Sequence, residues 1–176
     1  RVQMWLSNET FCQAAPNLDM MIYGGEMLTE VLLRKAQTAS QEAIQINMYG
    51  PTECTVYNTT RQADYRGHIN VGWPMQNNRV YILDEAHRPV LPTAVGDLYL
   101  AGECVGGGYI SRPDLTENAF LPDPFFPGEQ MYRTGDVARL RLDGSYDFLG
   151  RRDAQVKLNG QRVELRGLNR RQSYAY

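Results

Sequence analysis

Asn47-Met48-Tyr49-Gly50-Pro51-Thr52-Glu53 is the stretch that decides how the chain reads. The alternation Ala43-Ile44-Gln45-Ile46 runs into it as a short strand. Gly50-Pro51 then turns the chain, because proline fixes its own φ and pushes the residue before it away from helix. A strand stopped in this way ends in a loop, and open α/β sheets bind ligands at the carboxyl ends of their strands. The side chains suit a nucleotide. Tyr49 offers a ring for base stacking, an interaction worth about 1–3 kcal/mol. Asn47 can both donate and accept at an adenine edge. Thr52 brings a hydroxyl to a phosphate, and Glu53 a hard oxygen ligand for magnesium. An ordinary turn between two elements accommodates the same residues, since Gly and Pro are the usual turn formers.

Upstream, Leu18-Asp19-Met20-Met21-Ile22-Tyr23 is an apolar run cut by Gly24-Gly25 and reads as a buried strand. Residues 27–39 carry Met27, Val31, Leu32 and Ala36 at helical spacing, and Glu30 faces Arg34 four residues on. Residues 18–49 therefore predict strand, Gly-Gly turn, helix, strand: a βαβ unit whose two strands run parallel. Phe11-Cys12-Gln13-Ala14-Ala15 reads as a further helix ended by Pro16.

Downstream of Thr60 the pattern becomes one of short strands divided by turns: Val71–Pro74, Val80–Asp84, Gly96–Ala101 and Val137–Leu140. A weak helical pattern at Leu115–Phe120 interrupts them, and the Pro-rich stretch Leu121–Gly128 predicts a surface loop. Asp143-Gly144 signals a tight hairpin between Leu140 and Tyr146, and Asn159-Gly160 a second one between Gln155–Leu158 and Gln161–Leu165. The fold expected is α+β. It comprises the end of a parallel α/β subdomain (1–60), a small distorted β-barrel (61–149), and the first hairpin of a C-terminal domain (150–165). Residues 166–176 form an atypical tail.

Composition bounds the function. The 176 residues are 43% hydrophobic and 22% charged, as in a globular chain long enough to bury a core. The net charge of −2 and the lack of a basic patch argue against a nucleic-acid partner. No apolar run reaches membrane-spanning length. Cys12, Cys54 and Cys104 are odd in number and far apart, which favours reduced thiols over a zinc site and points to a reducing, cytoplasmic setting.

Four more stretches stand out: Gly24-Gly25-Glu26; Gly96–Gly102 leading to Gly106-Gly107-Gly108-Tyr109; Tyr132-Arg133-Thr134-Gly135-Asp136; and Gly150–Lys157. The triple glycine lacks the spacing of a phosphate loop and reads as a turn or bulge. Asp136, Arg151 and Lys157, taken singly, read as a turn residue and solvated surface. In this order, however, the five stretches together resemble the adenylation domains of nonribosomal peptide synthetases (NRPS). These belong to the adenylate-forming, AMP-binding superfamily, which also holds acyl-CoA synthetases and luciferases. The likeness extends over residues 18–165, and Gln155-Val156-Lys157 followed by Gly160-Gln161-Arg162-Val163-Glu164 looks like the peptide synthetase branch.

The resemblance implies roles. Asn47 and Tyr49 would hold adenine, Thr52 a phosphate and Glu53 the magnesium that bridges ATP. Thr52 and Glu53 would thus be the catalytic pair. Asp136 and Arg151 would take the ribose, with Phe148 near the nucleotide. Met21, Tyr23, Met48, Val56 and Tyr57 would line part of an amino-acid pocket, and Asp153 would be the hinge of the C-terminal domain. Gly24 and Gly25 would let the backbone pass close to substrate. The cofactors implied are ATP and Mg2+, with phosphopantetheine on a carrier domain; the partners are an amino acid and the carrier and condensation domains of a megasynthetase. The family's phosphate loop would lie upstream of residue 1 and its adenylating lysine downstream of residue 176, so the chain is expected to be a central fragment, inactive by itself. An acyl-CoA synthetase, or a non-catalytic nucleotide-binding module, are the other readings.

Overall fold

The computed structural model describes residues 6–152 and the backbone of two further strands, 155–158 and 161–164. Helix α1 (Glu9–Ala14) starts where the Asn8 side chain accepts from the Phe11 amide at 3.1 Å. Pro16 has no amide hydrogen to extend the helix, and the chain tightens into a 3-10 turn over Ala15–Asn17.

The expected βαβ unit follows. Strand β1 (Met20–Tyr23) pairs parallel with β2 (Ile44–Tyr49), in a register that sets Tyr23 beside Asn47. Helix α2 (Glu30–Ala39) crosses between them, capped by Thr29 and carrying the Glu30–Arg34 ion pair at 2.5 Å. Its buried face differs from the one expected. Leu33 and Ala36, with Leu28 just ahead of the helix, pack on Met21 and Tyr23. Met27 and Val31 are 61% and 66% exposed. Met27 precedes the first helical residue, and Val31 falls on the outer side. Nor is β1 buried on both sides: Met20 and Ile22 are about half exposed, because α2 covers only the face that carries Met21 and Tyr23.

A strand absent from the sequence reading, β3 (Thr59–Gln62), folds back antiparallel to β2 and pairs Tyr49 with Thr59. The short β4 (Trp73–Pro74) completes a four-stranded sheet in the order β1-β2-β3-β4.

The second sheet is antiparallel and curls into a half-barrel. It holds β5 (Asn78–Leu83), β6 (Val95–Gly102), β7 (Phe120–Pro122), β8 (Gln130–Leu140) and β9 (Tyr146–Arg151), in the order β5-β6-β8-β7 with β9 also on β8. Helix α3 (Pro113–Ala119) leads into β7, so the Pro-rich stretch begins as a strand before it loops. Strand β8 starts at Gln130, well ahead of Val137, and carries Tyr132–Asp136 inside the sheet. Bulges at Asp97/Tyr99 and Val137/Ala138 bend the ladder. Gly144 takes φ +80° in the hairpin between β8 and β9. Val80, Ile82, Leu98, Leu100, Phe120, Tyr132, Ala138 and Tyr146 form one core, and Cys54 from the other sheet's loop joins it. The backbone of Tyr146 exchanges hydrogen bonds with Val71 and Gly72, tying the sheets together. Strands β10 (Gln155–Leu158) and β11 (Gln161–Glu164) pair antiparallel as expected. Asp153 and the tail 166–176 lie outside the described residues. Among the described residues no helix is long and apolar enough to cross a membrane.

Candidate functional site

The loop after β2 is closed on itself. Asn58 donates its amide to the Tyr49 carbonyl at 2.8 Å and its side chain to the Cys54 carbonyl at 2.9 Å. Pro51 leads into a 3-10 turn over Thr52–Cys54. Gly50 is required by space, since a Cβ there would stand 2.5 Å from both the Asn58 Oδ1 and the Val56 carbonyl oxygen. Thr55 and Val56 both sit in the left-handed region, at φ 54° and 76°. That conformation is an outlier for β-branched residues and costs on the order of 1–3 kcal/mol each. The surroundings hold it: Tyr57 donates to the Thr55 carbonyl at 3.0 Å, and Thr55 Oγ1 donates to the Cys104 carbonyl at 2.9 Å.

Four of the residues expected on the nucleotide side come together. The end of β2 sets Tyr49 against the facing strands β8 and β9, where its hydroxyl donates to Asp136 Oδ2. Arg151, opposite Asp136 across the ladder, donates Nη1 to Asp136 Oδ1 at 3.1 Å and to the Thr134 carbonyl at 3.2 Å. The Phe148 ring lies 5.6 Å from that of Tyr49. Asp136 is only 7% exposed, and its own amide donates to Thr134 Oγ1 at 3.0 Å. Burial, then the Asp136 charge, pushes the Tyr49 phenol well above its ordinary pKa. It therefore remains a donor across the physiological range. A carboxylate offers about four acceptor positions, so Asp136 retains the capacity to accept ribose hydroxyls besides these bonds.

Glu53, farther along the loop, also turns to the second sheet and the segment after β6. Its Oε1 accepts from the Tyr109 hydroxyl at 2.7 Å, and its carbonyl accepts from the Gly106 amide at 2.9 Å. The Tyr109 and Tyr132 hydroxyls are 3.2 Å apart. Burial, the Tyr109 hydrogen bond and the Glu53 charge all raise the Tyr132 pKa. Thr52 is exposed at the start of its 3-10 turn. A lone carboxylate suits magnesium, which keeps most of its shell as water and phosphate oxygen. Among the described residues no group of three metal-ligating side chains exists that would build a dedicated cage. The Glu53 carboxylate has the chemistry to serve a nucleotide-bound Mg2+.

The remaining expected residues are more scattered. Asn47 is buried, with its Nδ2 donating to the Asn70 carbonyl at 2.8 Å. Its amide is thus held by the protein. Met21 and Tyr23 point into the core under α2. The Tyr23 hydroxyl donates to Gln45 Oε1 at 2.5 Å, and burial pushes its pKa up to about 12. Met48 lies on the other face of β2 by strand alternation, and Val56 is 52% exposed. Tyr57 packs against Gly24, where a Cβ would come within 2.5 Å of its ring. That ring fills the space beside Gly24 which the sequence reading left to substrate. The three cysteines are free thiols, with Cys54 and Cys104 buried and Cys12 exposed. Tyr109, Tyr132 and Asn58 received no role from the sequence. The signal for the first two was their place in Gly106-Gly107-Gly108-Tyr109 and Tyr132–Asp136; Asn58 gave none.

A parallel-strand end carrying a Gly-Pro-Thr-Glu loop, facing a half-barrel that presents Asp136 and Arg151, defines a nucleotide-binding α+β protein of the adenylate-forming class. Residues 2–110 match the AMP-binding enzyme family, and the chain belongs to it. Malpinin synthetase of Mortierella alpina is 46% identical over 156 residues, 85% of this chain and 2% of that protein. Surfactin synthase subunit 2 of Bacillus subtilis (strain 168) is 43% identical over 171 residues, 92% of this chain and 5% of that protein. Among solved structures, holo-PA1221, an NRPS protein containing adenylation and PCP domains, superposes with a TM-score of 0.82 at 29% identity, over 97% of this chain and 31% of its own. The Vibrio cholerae adenylation domain AlmE, in complex with glycyl-adenosine-5'-phosphate, superposes with a TM-score of 0.77 at 30% identity, over 91% and 33%. The chain thus spans a small fraction of the curated relatives and about a third of the structural ones.

Proposed function

We propose that the chain provides the nucleotide-binding side of an ATP-dependent adenylating domain of a nonribosomal peptide synthetase. In the reaction an amino-acid carboxylate oxygen attacks the α-phosphorus of ATP. The bond to the β-phosphate bridging oxygen breaks, leaving aminoacyl-AMP and pyrophosphate. The phosphopantetheine thiol of a carrier domain then attacks the acyl carbon, the acyl–phosphate bond breaks and AMP leaves with a thioester formed; carrier and condensation domains are partners in one cytoplasmic megasynthetase. The observation that carries the reading is the Tyr49–Asp136–Arg151 assembly, which joins the parallel-strand end to the half-barrel at a ring and a carboxylate.

In this reading the Tyr49 ring stacks on adenine, with Phe148 behind it and Asn47 at the base edge. Asp136 accepts from the ribose hydroxyls while Arg151 holds its carboxylate. Thr52 donates to a phosphate, and Glu53 is a ligand of Mg2+, which neutralises phosphate charge when bound. Val56 and Tyr57 border the amino-acid side, with Met48 on the far face of β2 and Met21 and Tyr23 behind it in the core under α2, and Asp153 is the hinge. Subdomain boundaries fall near residues 60 and 150. The glycyl-adenylate held by AlmE and the carrier domain in PA1221 support this chemistry.

Amino-acid-dependent ATP–pyrophosphate exchange, run on the longest natural form of the protein with amino acids against fatty and aryl acids, tests the proposal. Exchange with one or a few amino acids is expected. Exchange with fatty or aryl acids alone would replace it with the acyl-CoA synthetase reading. ATP binding without exchange on any acid would favour a nucleotide-binding module.

A further inference from the structure

Glu53 is held by more than its own loop. The segment after β6 reaches it twice, through the Gly106 amide on its carbonyl at 2.9 Å and the Tyr109 hydroxyl on its carboxylate at 2.7 Å. Tyr109 is itself fixed on every side. Its amide donates to Thr116 Oγ1 at 2.9 Å. Gly108, at φ +114°, lets the chain pass where any Cβ would meet the Thr116 side chain at 2.5 Å. The Tyr109 ring meets Phe120 edge-on at 5.5 Å, and Phe120 in turn packs on Tyr132 at 5.0 Å. Tyr132 is 2% exposed and aims its hydroxyl at that of Tyr109. A hydroxyl so placed has little freedom except to donate to the carboxylate.

We propose that Tyr109, with Tyr132 behind it, is a positioning residue for the Glu53 carboxylate. It fixes the rotamer in which Glu53 meets the metal of the metal–ATP complex. The inference rests on the reading of Glu53 as the magnesium ligand. It adds that the site is tuned from the half-barrel rather than from the Gly-Pro-Thr-Glu loop alone. Hydrogen-bond partners behind a metal ligand typically change metal affinity by about 10–100-fold when removed.

Tyr109→Phe removes only the hydroxyl. In the longest natural form of the protein with ATP, Mn2+ used in place of Mg2+ reports the site by electron paramagnetic resonance. Tyr109→Phe should weaken Mn2+ binding to the protein–ATP complex by about tenfold and alter its spectrum. Metal-free ATP affinity should stay near wild type, and the melting temperature should fall only by the few degrees that the lost bond accounts for. Tyr132→Phe should shift the same readout in the same direction, because it removes a hydroxyl that faces both Tyr109 and the Glu53 carboxylate. Glu53→Gln separates the two claims. If it leaves Mn2+ binding unchanged, the magnesium reading of Glu53 is wrong. If it weakens binding while both phenylalanine variants match wild type, Glu53 binds the metal without help and the positioning role is overturned.

Discussion

Asp136→Asn exchanges one carboxylate oxygen for an amide nitrogen with almost no change in shape. The carboxylate holds Tyr49 through Oδ2 and Arg151 through Oδ1, and is 7% exposed. In the variant the remaining oxygen must face Arg151, which can only donate. The new NH2 then faces the Tyr49 hydroxyl, which can turn to accept. Both bonds survive in form, but the charge on the acceptor is gone. Charge-assisted bonds contribute about 1.5–3 kcal/mol and neutral ones roughly half that. With two such bonds each halved, the fold should lose about 1.5–3 kcal/mol, a fall in Tm of roughly 3–12 °C for a chain of this size. Ribose hydroxyls donating to the same carboxylate lose their charge assistance too. A further cost of about 1.5 kcal/mol there corresponds to roughly tenfold weaker ATP binding. Calorimetric titration of ATP into wild type and variant, with Tm measured in parallel, checks both numbers. Tyr49→Phe is the control: it spares the carboxylate and should cost stability with a smaller change in affinity. A lowered Tm with unchanged ATP affinity would show that Asp136 only cements the two sheets, and would refute its ribose role.

Gly50→Ala places a Cβ 2.5 Å from the Val56 carbonyl and from Asn58 Oδ1, so the loop must open; a loss of roughly 1–3 kcal/mol in chemical denaturation is expected, and wild-type stability would show the loop is not closed as described. Val56→Gly relieves a left-handed β-branched residue at a half-exposed site, and the strain released exceeds the roughly 0.5–1 kcal/mol that glycine costs in chain entropy. Its Tm should rise by a few degrees, and a fall would remove the strain argument. Asp147 is opposed by burial, yet hydrogen bonds from His68 and Arg139 hold its pKa below the ordinary carboxylate value. A depressed pKa contributes stability above the unfolded value and loses it as pH falls through the folded one. Wild type should therefore weaken progressively below about pH 4, and Asp147→Asn should be less stable at pH 7 with a flatter acid limb; parallel acid limbs would overturn the assignment.

The parallel pair β1–β2 and the crossover helix were legible because their signals are local: a Gly-Gly stop, a Gly-Pro stop and helical spacing between. Which side of the helix is buried was less so. Val31 has the same apolar character as Leu33, and only the angle at which α2 meets the sheet selects Leu33. Strand β3, Thr59-Thr60-Arg61-Gln62, has no apolar alternation; it is held by its ladders to β2 and β4, with a polar residue, Thr59, as its buried member. The length of β8 was hidden for a related reason: Gly135 breaks the strand pattern locally while pairing on both sides sustains it. The nucleotide-side residues were found through motif order. Their grouping follows from the register that places Asp136 opposite Arg151. The Tyr109–Glu53 bond spans more than fifty positions along the chain, so the glycine-rich stretch that marks Tyr109 gives no sign of its partner.

These long-range bonds also explain why the strained loop persists. The loop between Tyr49 and Asn58 begins in one sheet, yet its carboxylate, its Thr55 hydroxyl and its Cys54 side chain all find partners in or beside the other. Tyr49, at the loop's first residue, makes a further contact across the same boundary. The left-handed pair Thr55-Val56 turns the chain sharply enough for Asn58 to bond back to Tyr49 while Thr55 reaches Cys104. A relaxed loop would have to give up one of those anchors. Two adjacent left-handed β-branched residues thus sit directly beside the phosphate-side and metal-side candidates, while Thr93 adopts the same region singly in a loop far from them in sequence. By the same reasoning, substitutions that loosen the sheet-to-sheet anchors should change nucleotide binding even at positions that never touch the nucleotide.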